Sequence, residues 1–144
     1  MTEVEFHTGV ADKLGFACRL LRKAYRKGVR VVVTGPGPLL GTLDRDLWTF
    51  EQQEFVPHVR LPGSAPSPMA ARTPIWLVDG ELPEGGPDVL VNLGAELPED
   101  LSAWRRVIEI VSAEPDDEQA GRHRWRSYKA RGLAVTHHPA AGRG

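Results

Sequence analysis

A β-branched apolar run directly after an amphipathic helix limits this chain to few folds. From Val10 to Lys27 apolar residues recur at steps of three and four, which predicts a helix with one buried face, and Gly28 is typical of the position that follows a helix. Val29 to Thr34 reads VRVVVT, the pattern of a strand that lies inside a sheet with helices over it. A short alternating strand at Thr2 to His7 comes first. The order of these elements predicts a βαβ unit.

The remainder of the chain continues this alternation of strands and helices. Leu101 to Val111 fits either a helix or a strand, and we expect a turn up to Trp104 and a strand from Val107. Further strands are expected at Thr73 to Val78, Val89 to Leu93 and Leu133 to Thr136. A second helix is expected to turn five apolar side chains toward the core, namely Leu39, Leu40, Leu43, Leu47 and Trp48.

The segments between these elements contain many turn-forming residues. Phe55 to His58 is expected to be extended because the residue before a proline avoids helical conformation, and Leu61 to Arg72 is expected to be a mobile surface loop. The end of the chain, from His137 onward, is expected to be frayed. We therefore predict a single α/β domain over 1–138, a sheet covered by helices, and a flexible tail over 139–144.

Gly35 to Gly41 lies where a dinucleotide-binding fold would keep its phosphate loop, directly after a buried strand. Its glycine spacing is GxGxxxG instead of GxGxxG, and Pro36 and Pro38 lack the N–H groups that would hold a phosphate. We expect this segment to be a turn that opens a helix. No nucleotide site and no other cofactor is predicted.

Composition excludes several classes of protein. A formal net charge of −1 is unlike that of a protein that coats nucleic acid, and the single cysteine, Cys18, excludes an intrachain disulfide or a zinc site built from cysteine pairs. No stretch approaches the roughly 20 apolar residues that cross a bilayer, and the first residues, MTEVEFHTG, do not show the basic region followed by an apolar run that is typical of a secretion signal. A cytoplasmic protein without a membrane partner is expected.

Arg122 to Gly132, RHRWRSYKARG, combines five Arg or Lys and two large aromatic residues in eleven positions without an acid. It follows acidic residues and Pro115, so the segment is predicted to be a helix that starts acidic and ends basic at Gly132. One interpretation is that these charges complement the helix dipole while Trp125 or Tyr128 anchors the helix in the core. The other is an anion-recognition surface, because arginine holds carboxylates and phosphates with two hydrogen bonds.

Catalytic motifs are not apparent in the sequence. There is no nucleophile elbow, no complete phosphate loop and no spacing of ligands for a metal ion, so neither catalytic nor metal-binding residues are predicted. His58 is expected to be a hydrogen-bonded structural histidine. His137 and His138 are adjacent, and in a strand they would face opposite sides and could not chelate one ion.

In the order and spacing of several blocks the chain resembles the chi subunit family of bacterial DNA polymerase III. The blocks are Phe6 in an early strand, AYRKGVRVVV at Ala24 to Val33, LDRDLWTF at Leu43 to Phe50, FVPH at Phe55 to His58, PIWLV at Pro74 to Val78, VLVNLG at Val89 to Gly94 and RWRSYKARGL at Arg124 to Leu133. The resemblance implies a Rossmann-like, mostly parallel sheet with no enzymatic activity and no bound nucleotide.

The resemblance also implies a partner, the acidic C-terminal tail of single-stranded DNA-binding protein, which ends in a Phe carboxylate. Arg122 and Arg126 then match cations that hold the tail carboxylates, and Trp125 matches an aromatic position beside them, with Lys129 close by at helical spacing. Two further residues, Trp48 and Phe55, match the apolar wall for the terminal Phe. The chain departs from the family where a family lysine falls on Glu118 and where a lysine is replaced by Arg126.

The family's other partner is the small psi subunit, which links chi to the clamp loader, and a helicase is a further partner that the resemblance implies. Contact with single-stranded DNA would then be indirect. Two other functions stay open from the residues alone. One is direct binding of single-stranded DNA, with the same cations and Trp125 as a stacking platform. The other is a nucleotide-dependent enzyme that uses the Gly35 to Gly41 turn.

Overall fold

The computed structural model describes residues 2–49, 55–61, 72–83, 86–98 and 100–140. They form seven strands and three helices, which in chain order are β1 (Glu3–Val10), α1 (Lys13–Arg26), β2 (Val31–Thr34), α2 (Gly37–Thr49), β3 (His58–Leu61), β4 (Ile75–Val78), β5 (Val89–Asn92), β6 (Arg106–Ser112), α3 (Pro115–Ala130) and β7 (Ala134–Pro139). The loop expected at 61–72 lies mostly outside the described residues, as do 141–144 of the expected tail.

All strands belong to one parallel sheet with the order β3-β4-β2-β5-β6-β1-β7. The central strands β2, β4 and β5 are buried at every position, as expected where helices cover both faces. The predicted α/β fold with a parallel, helix-flanked sheet is confirmed. No described helix is both long and apolar enough to cross a membrane.

The two faces of the sheet have separate apolar cores. On one face, α1 and α2 bury residues such as Leu21 and Leu43 against Val33 and Ile110. On the other face, Tyr128 of α3 packs with Phe6, Val107 and Trp76. The successive side chains of each strand alternate between these cores, because the side chains of a strand point to opposite faces in turn.

Two predictions about local structure need correction. Trp48 is not turned toward the core but is 61% exposed, because one step past the buried Leu47 rotates a side chain by about 100° around the helix. The extended segment predicted up to His58 needs no correction, since His58 begins β3 and pairs with Ile75. His137 and His138 are not frayed, because β7 continues to Pro139 and pairs with β1 up to Thr8.

Candidate functional site

The helix α3 is fixed at its first turn by an acidic side chain. Asp117 accepts hydrogen bonds from Lys13 Nζ of α1 at 2.8 Å and from the Ser112 N–H at the end of β6 at 2.7 Å. Burial alone would raise the pKa of Asp117, but these hydrogen bonds and the charge of Lys13 lower it below its ordinary value. The acidic start of α3 is therefore a structural joint between three elements, as well as a complement to the helix dipole.

A cavity of about 270 Å³ lies beside the second turn of α3. Its lining includes apolar side chains from three elements, a pair of opposite charges, and two polar groups. We call it the α3 cavity, and its lining residues are Phe6, Thr8, Val111, Glu118, Gly121, Arg122, Trp125 and His137. Arg122 lines the cavity and is exposed to solvent. The cavity therefore combines an apolar interior with a cation at its rim.

Trp125 forms one wall of the α3 cavity. Its ring meets Phe6 edge to face at a centroid distance of 5.1 Å and His137 at 5.5 Å, and Lys129 Nζ lies 5.9 Å from its centre. His137 is held in turn by a 2.6 Å hydrogen bond between its Nε2 and Thr8 Oγ1. Arg126 is exposed on the same helix, one turn after Arg122. The structure therefore brings Arg122, Trp125 and Lys129 together, and the arrangement suits an apolar group that carries an adjacent anion.

Glycine at position 121 allows α3 to approach β6 closely. A Cβ on Gly121 would lie 2.9 Å from Val111 Cγ2, closer than two such carbons can stand. Because Val111 and Gly121 both line the α3 cavity, this close contact sets the depth of its floor.

Trp48 and Phe55 form a second exposed feature. Their rings stack at a centroid distance of 4.8 Å, and they are 61% and 47% exposed. His58 supports this aromatic pair, since it lies 5.4 Å from the Trp48 ring and is fixed by hydrogen bonds between its Nε2 and Asp44 and between its Nδ1 and the Val56 carbonyl. The prediction that His58 is a hydrogen-bonded structural histidine is confirmed.

The sheet keeps the aromatic pair of Trp48 and Phe55 away from the α3 cavity. The pair lies beside α2 and β3, whereas the cavity lies beside α3 and β1, and these two helices cover opposite faces of the sheet. In the strand order, β3 and β1 are five steps apart, which corresponds to roughly 24 Å. The terminal Phe of a single peptide tail therefore cannot contact both the aromatic pair and the α3 cavity. The apolar wall beside Arg122 consists instead of Phe6, Val111 and Trp125.

Sequence reasoning missed a buried ionic network under α3. Glu109 is fully buried and accepts hydrogen bonds from Arg124 Nε at 3.1 Å, from the Tyr128 hydroxyl at 2.6 Å and from Asn92 Nδ2 at 3.0 Å. Burial, followed by the charge of Glu109, raises the pKa of Tyr128, so the hydroxyl stays a donor. Two features of the sequence indicate this network. Glu109 is an acid inside the apolar run VIEIV, and Arg124 lies at helical spacing from both Gly121 and Tyr128.

The two adjacent histidines of β7 face opposite sides, as predicted. His137 meets Trp125, while His138 stacks on His7 at 4.9 Å with an angle of 16° between the rings. Burial and the neighbouring His138 lower the pKa of His7. Among the described residues, no group of three or more His, Cys, Asp or Glu side chains is placed to hold a metal ion.

Comparison with known proteins gives a consistent result. The family model described as DNA polymerase III chi subunit, HolC, matches residues 1–136. The DNA polymerase III subunit chi of Pseudomonas aeruginosa is 34% identical over 143 residues, which cover 96% of this chain and 96% of the relative. The corresponding subunit of Haemophilus influenzae is 28% identical over 120 residues, or 81% of this chain and 79% of the relative.

Proposed function

Because this chain belongs to the DNA polymerase III chi subunit family, we propose that it is a non-catalytic accessory subunit of the clamp-loader assembly in DNA replication. In this proposal it binds the acidic C-terminal tail of single-stranded DNA-binding protein and so connects that protein to the replisome. The observation that carries the proposal is the α3 cavity, in which an apolar interior adjoins the exposed cation of Arg122.

The size of the α3 cavity suits the terminal Phe of such a tail. Its volume is about 270 Å³, and an apolar cavity of about 150 Å³ is enough to hold a benzene molecule. A phenyl ring would lie against Phe6, Val111 and Trp125, which are aromatic or branched apolar side chains. The terminal carboxylate would then reach the rim, where Arg122 can donate two parallel hydrogen bonds.

The cations of α3 supply the remainder of the attraction. Each charge-assisted hydrogen bond to a carboxylate contributes roughly 1.5 to 3 kcal/mol, so a few of them, together with one buried ring, give about −8 kcal/mol, which is micromolar affinity. Arg122 binds the terminal carboxylate, while Arg126 and Lys129 meet the acidic residues that precede it. Glu118 also lines the cavity and opposes an acidic ligand. A contact of this strength exchanges readily, as an adaptor requires.

The test is a calorimetric titration with an acidic peptide that ends in Phe, once with a free carboxylate and once amidated. The free acid should bind with micromolar affinity, and amidation should weaken binding at least tenfold. Arg122→Glu should abolish binding, while Arg45→Glu is the matched control, because Arg45 is an exposed cation of α2 on the other face. Equal binding of both peptides, or full binding by the Arg122 variant, would contradict the proposal.

The aromatic pair of Trp48 and Phe55 is the surface we assign to the clamp-loader side of the adaptor, through a psi subunit. Two stacked, exposed aromatic rings are typical of the centre of a protein interface. The pair lies on the opposite face from the α3 cavity, so both partners can bind at once. A Trp48→Ala, Phe55→Ala double variant should lose binding to a psi subunit in size-exclusion chromatography, while Arg122→Glu should retain it.

Direct binding of single-stranded DNA is the alternative function. It would need the faces of Trp125 for stacking on bases, but that ring already meets Phe6 and His137 and is only partly exposed. The adaptor is therefore the better supported proposal. An oligonucleotide affinity that falls steeply with salt, without any preference for a peptide carboxylate, would favour the alternative.

A further inference from the structure

Besides α3, the segment from Lys13 to Arg30 carries a second cluster of positive charges. Seven of the 18 Lys and Arg residues lie between Lys13 and Arg30, and none of the 19 Asp and Glu residues does. This segment is α1 and its continuation toward β2. Although the net charge of the chain is close to zero, the surface formed by this segment is strongly basic. It lies on the opposite face of the sheet from the α3 cavity.

Three of these cations form a row along the outside of α1. Arg19, Lys23 and Lys27 follow one another at four-residue steps, so their side chains lie on one face of the helix. All three are exposed, and none of their side chains forms an ion pair or hydrogen bond with another described residue. The row is about 12 Å long, which matches about four residues of an extended peptide.

A cavity of about 130 Å³ opens beside this basic row, between α1 and the amino ends of β2, β5 and β6. Its interior is apolar and includes Leu20, Ala24, Val31, Val89 and Ile108. Lys23 and Lys27 also line it, as does Arg106, whose charge is compensated by two 2.8 Å hydrogen bonds to Glu5. The uncompensated charge at this cavity therefore comes from the two lysines.

We propose that the basic row and the adjoining cavity form a second docking site, which takes an acidic peptide segment that carries one apolar side chain. The cavity would hold that side chain, and Arg19, Lys23 and Lys27 would meet its carboxylates. This site is separate from the α3 cavity and does not depend on the function proposed for it.

The dimensions favour a peptide over other anionic partners. The cavity is slightly smaller than the roughly 150 Å³ that holds a benzene molecule, so it fits one amino-acid side chain and not a whole acyl chain. Nucleic acid would use the basic row but has no group that fills an apolar cavity. The aromatic residues of α1, Phe16 and Tyr25, are packed against the core and offer no stacking platform.

The experiment uses two fluorescein-labelled, C-terminally amidated peptides, Asp-Asp-Asp-Asp-Leu and Asp-Asp-Asp-Asp-Ala, with binding measured by fluorescence anisotropy. Titrations use the full chain with Arg122→Glu and Arg126→Glu, so that acidic peptides do not bind at the α3 cavity. The leucine peptide should bind at least fivefold more tightly than the alanine peptide. In that background Lys23→Glu with Lys27→Glu should weaken binding at least tenfold, and Arg45→Glu should leave it unchanged.

The variant Ala24→Leu tests the cavity without changing charge. It should fill the cavity and remove the preference for leucine over alanine, while circular dichroism shows that the fold is retained. Equal binding of the two peptides by the unaltered α1 would overturn the proposal, as would binding that survives the lysine substitutions. A duplex oligonucleotide or anionic vesicles that bind through Lys23 and Lys27 more tightly than the leucine peptide would also overturn it.

Discussion

Two arginines, two positions apart on α3, have opposite roles. Arg122 is exposed at the rim of the α3 cavity, whereas Arg124 is 3% exposed and contacts the buried carboxylate of Glu109. The difference follows from helical geometry, because two residues correspond to about 200° around the helix axis. A basic helix can therefore present cations to a ligand on one side and use another cation inside the core.

Arg124→Ala should destabilise the protein by about 3 to 5 kcal/mol, because it leaves the Glu109 carboxylate buried without a compensating charge. Arg122→Ala is the matched control and should change stability by no more than about 0.5 kcal/mol, as is usual for exposed positions. The free energy of unfolding in urea measures both. Similar values for the two variants would show that the buried pair does not stabilise the fold as described.

Glu118→Lys should strengthen binding of the acidic peptide that ends in Phe. Glu118 lines the α3 cavity beside Arg122, so its carboxylate repels the ligand. Removing this repulsion is worth about 0.5 to 1 kcal/mol at a partly exposed position, or roughly a two- to fivefold gain in affinity. Glu114→Lys makes the same charge change at the exposed N-cap of α3. It controls for the long-range electrostatic attraction between the acidic peptide and an added positive charge. Calorimetric titration would show whether the gain is specific to position 118.

At the scale of elements, the close contact of α3 with β6 is the feature that shapes the cavity. Gly121→Ala should destabilise the protein by about 1 to 3 kcal/mol, because its Cβ would lie 2.9 Å from Val111 Cγ2 in the core. It should also weaken peptide binding, since α3 must move from the cavity floor. Gly41→Ala, within α2, faces only the flexible tip of Arg60 and should be neutral or slightly stabilising. Thermal unfolding of both variants would separate a steric effect from helix propensity.

The joint between α1, β6 and α3 should make stability depend on pH. The folded-state pKa of Asp117 is below its ordinary value of 3.8, so the stabilisation is present above that value and is lost as the pH falls through the folded-state pKa. Asp117→Asn should therefore cost about 1 to 2 kcal/mol at pH 7 and progressively less below pH 3.8.

Asp116→Asn is the control for the pH prediction, because Asp116 carries the same charge in the same turn of α3 but is exposed. Its effect on the free energy of unfolding should be small throughout. An Asp117 variant whose deficit stays constant down to acid pH would show that ionisation is not the source of the stabilisation.

In the whole molecule, α2 and α3 place the aromatic pair and the α3 cavity on opposite faces of the sheet, and the strand order separates them by roughly 24 Å in its plane. Trp48→Ala should therefore change the affinity for the Phe-ending peptide less than twofold, while Arg122→Glu abolishes binding. Sites this far apart without shared contacts act additively. A tenfold loss on Trp48→Ala, measured by the same titration, would mean that the tail extends over both surfaces.

Local patterns along the chain are sufficient to predict the main helices and strands and the α/β class. The periodicity of α1, the β-branched run of β2 and the acidic-to-basic course of α3 are local patterns, and the structure confirms each of them. The resemblance to the chi subunit family can also be recognised from short sequence blocks, because it depends on their order along the chain. Prediction from local pattern was wrong near the ends of elements. At the end of α2, for example, Leu47 is buried while the next residue, Trp48, is exposed.

Which residues contact one another depends on the fold of the whole chain. Phe6, Val111 and His137 come from three strands and form one cavity with α3 because β6, β1 and β7 are neighbours in the sheet, an order that no local pattern encodes. The same order separates Trp48 and Phe55 from Arg122, although the family resemblance relates all of them to one ligand. Glu109 and Arg124 likewise became a pair only through packing. The physical reason is that strand order and packing depend on contacts between distant parts of the chain, whereas periodicity depends on near neighbours.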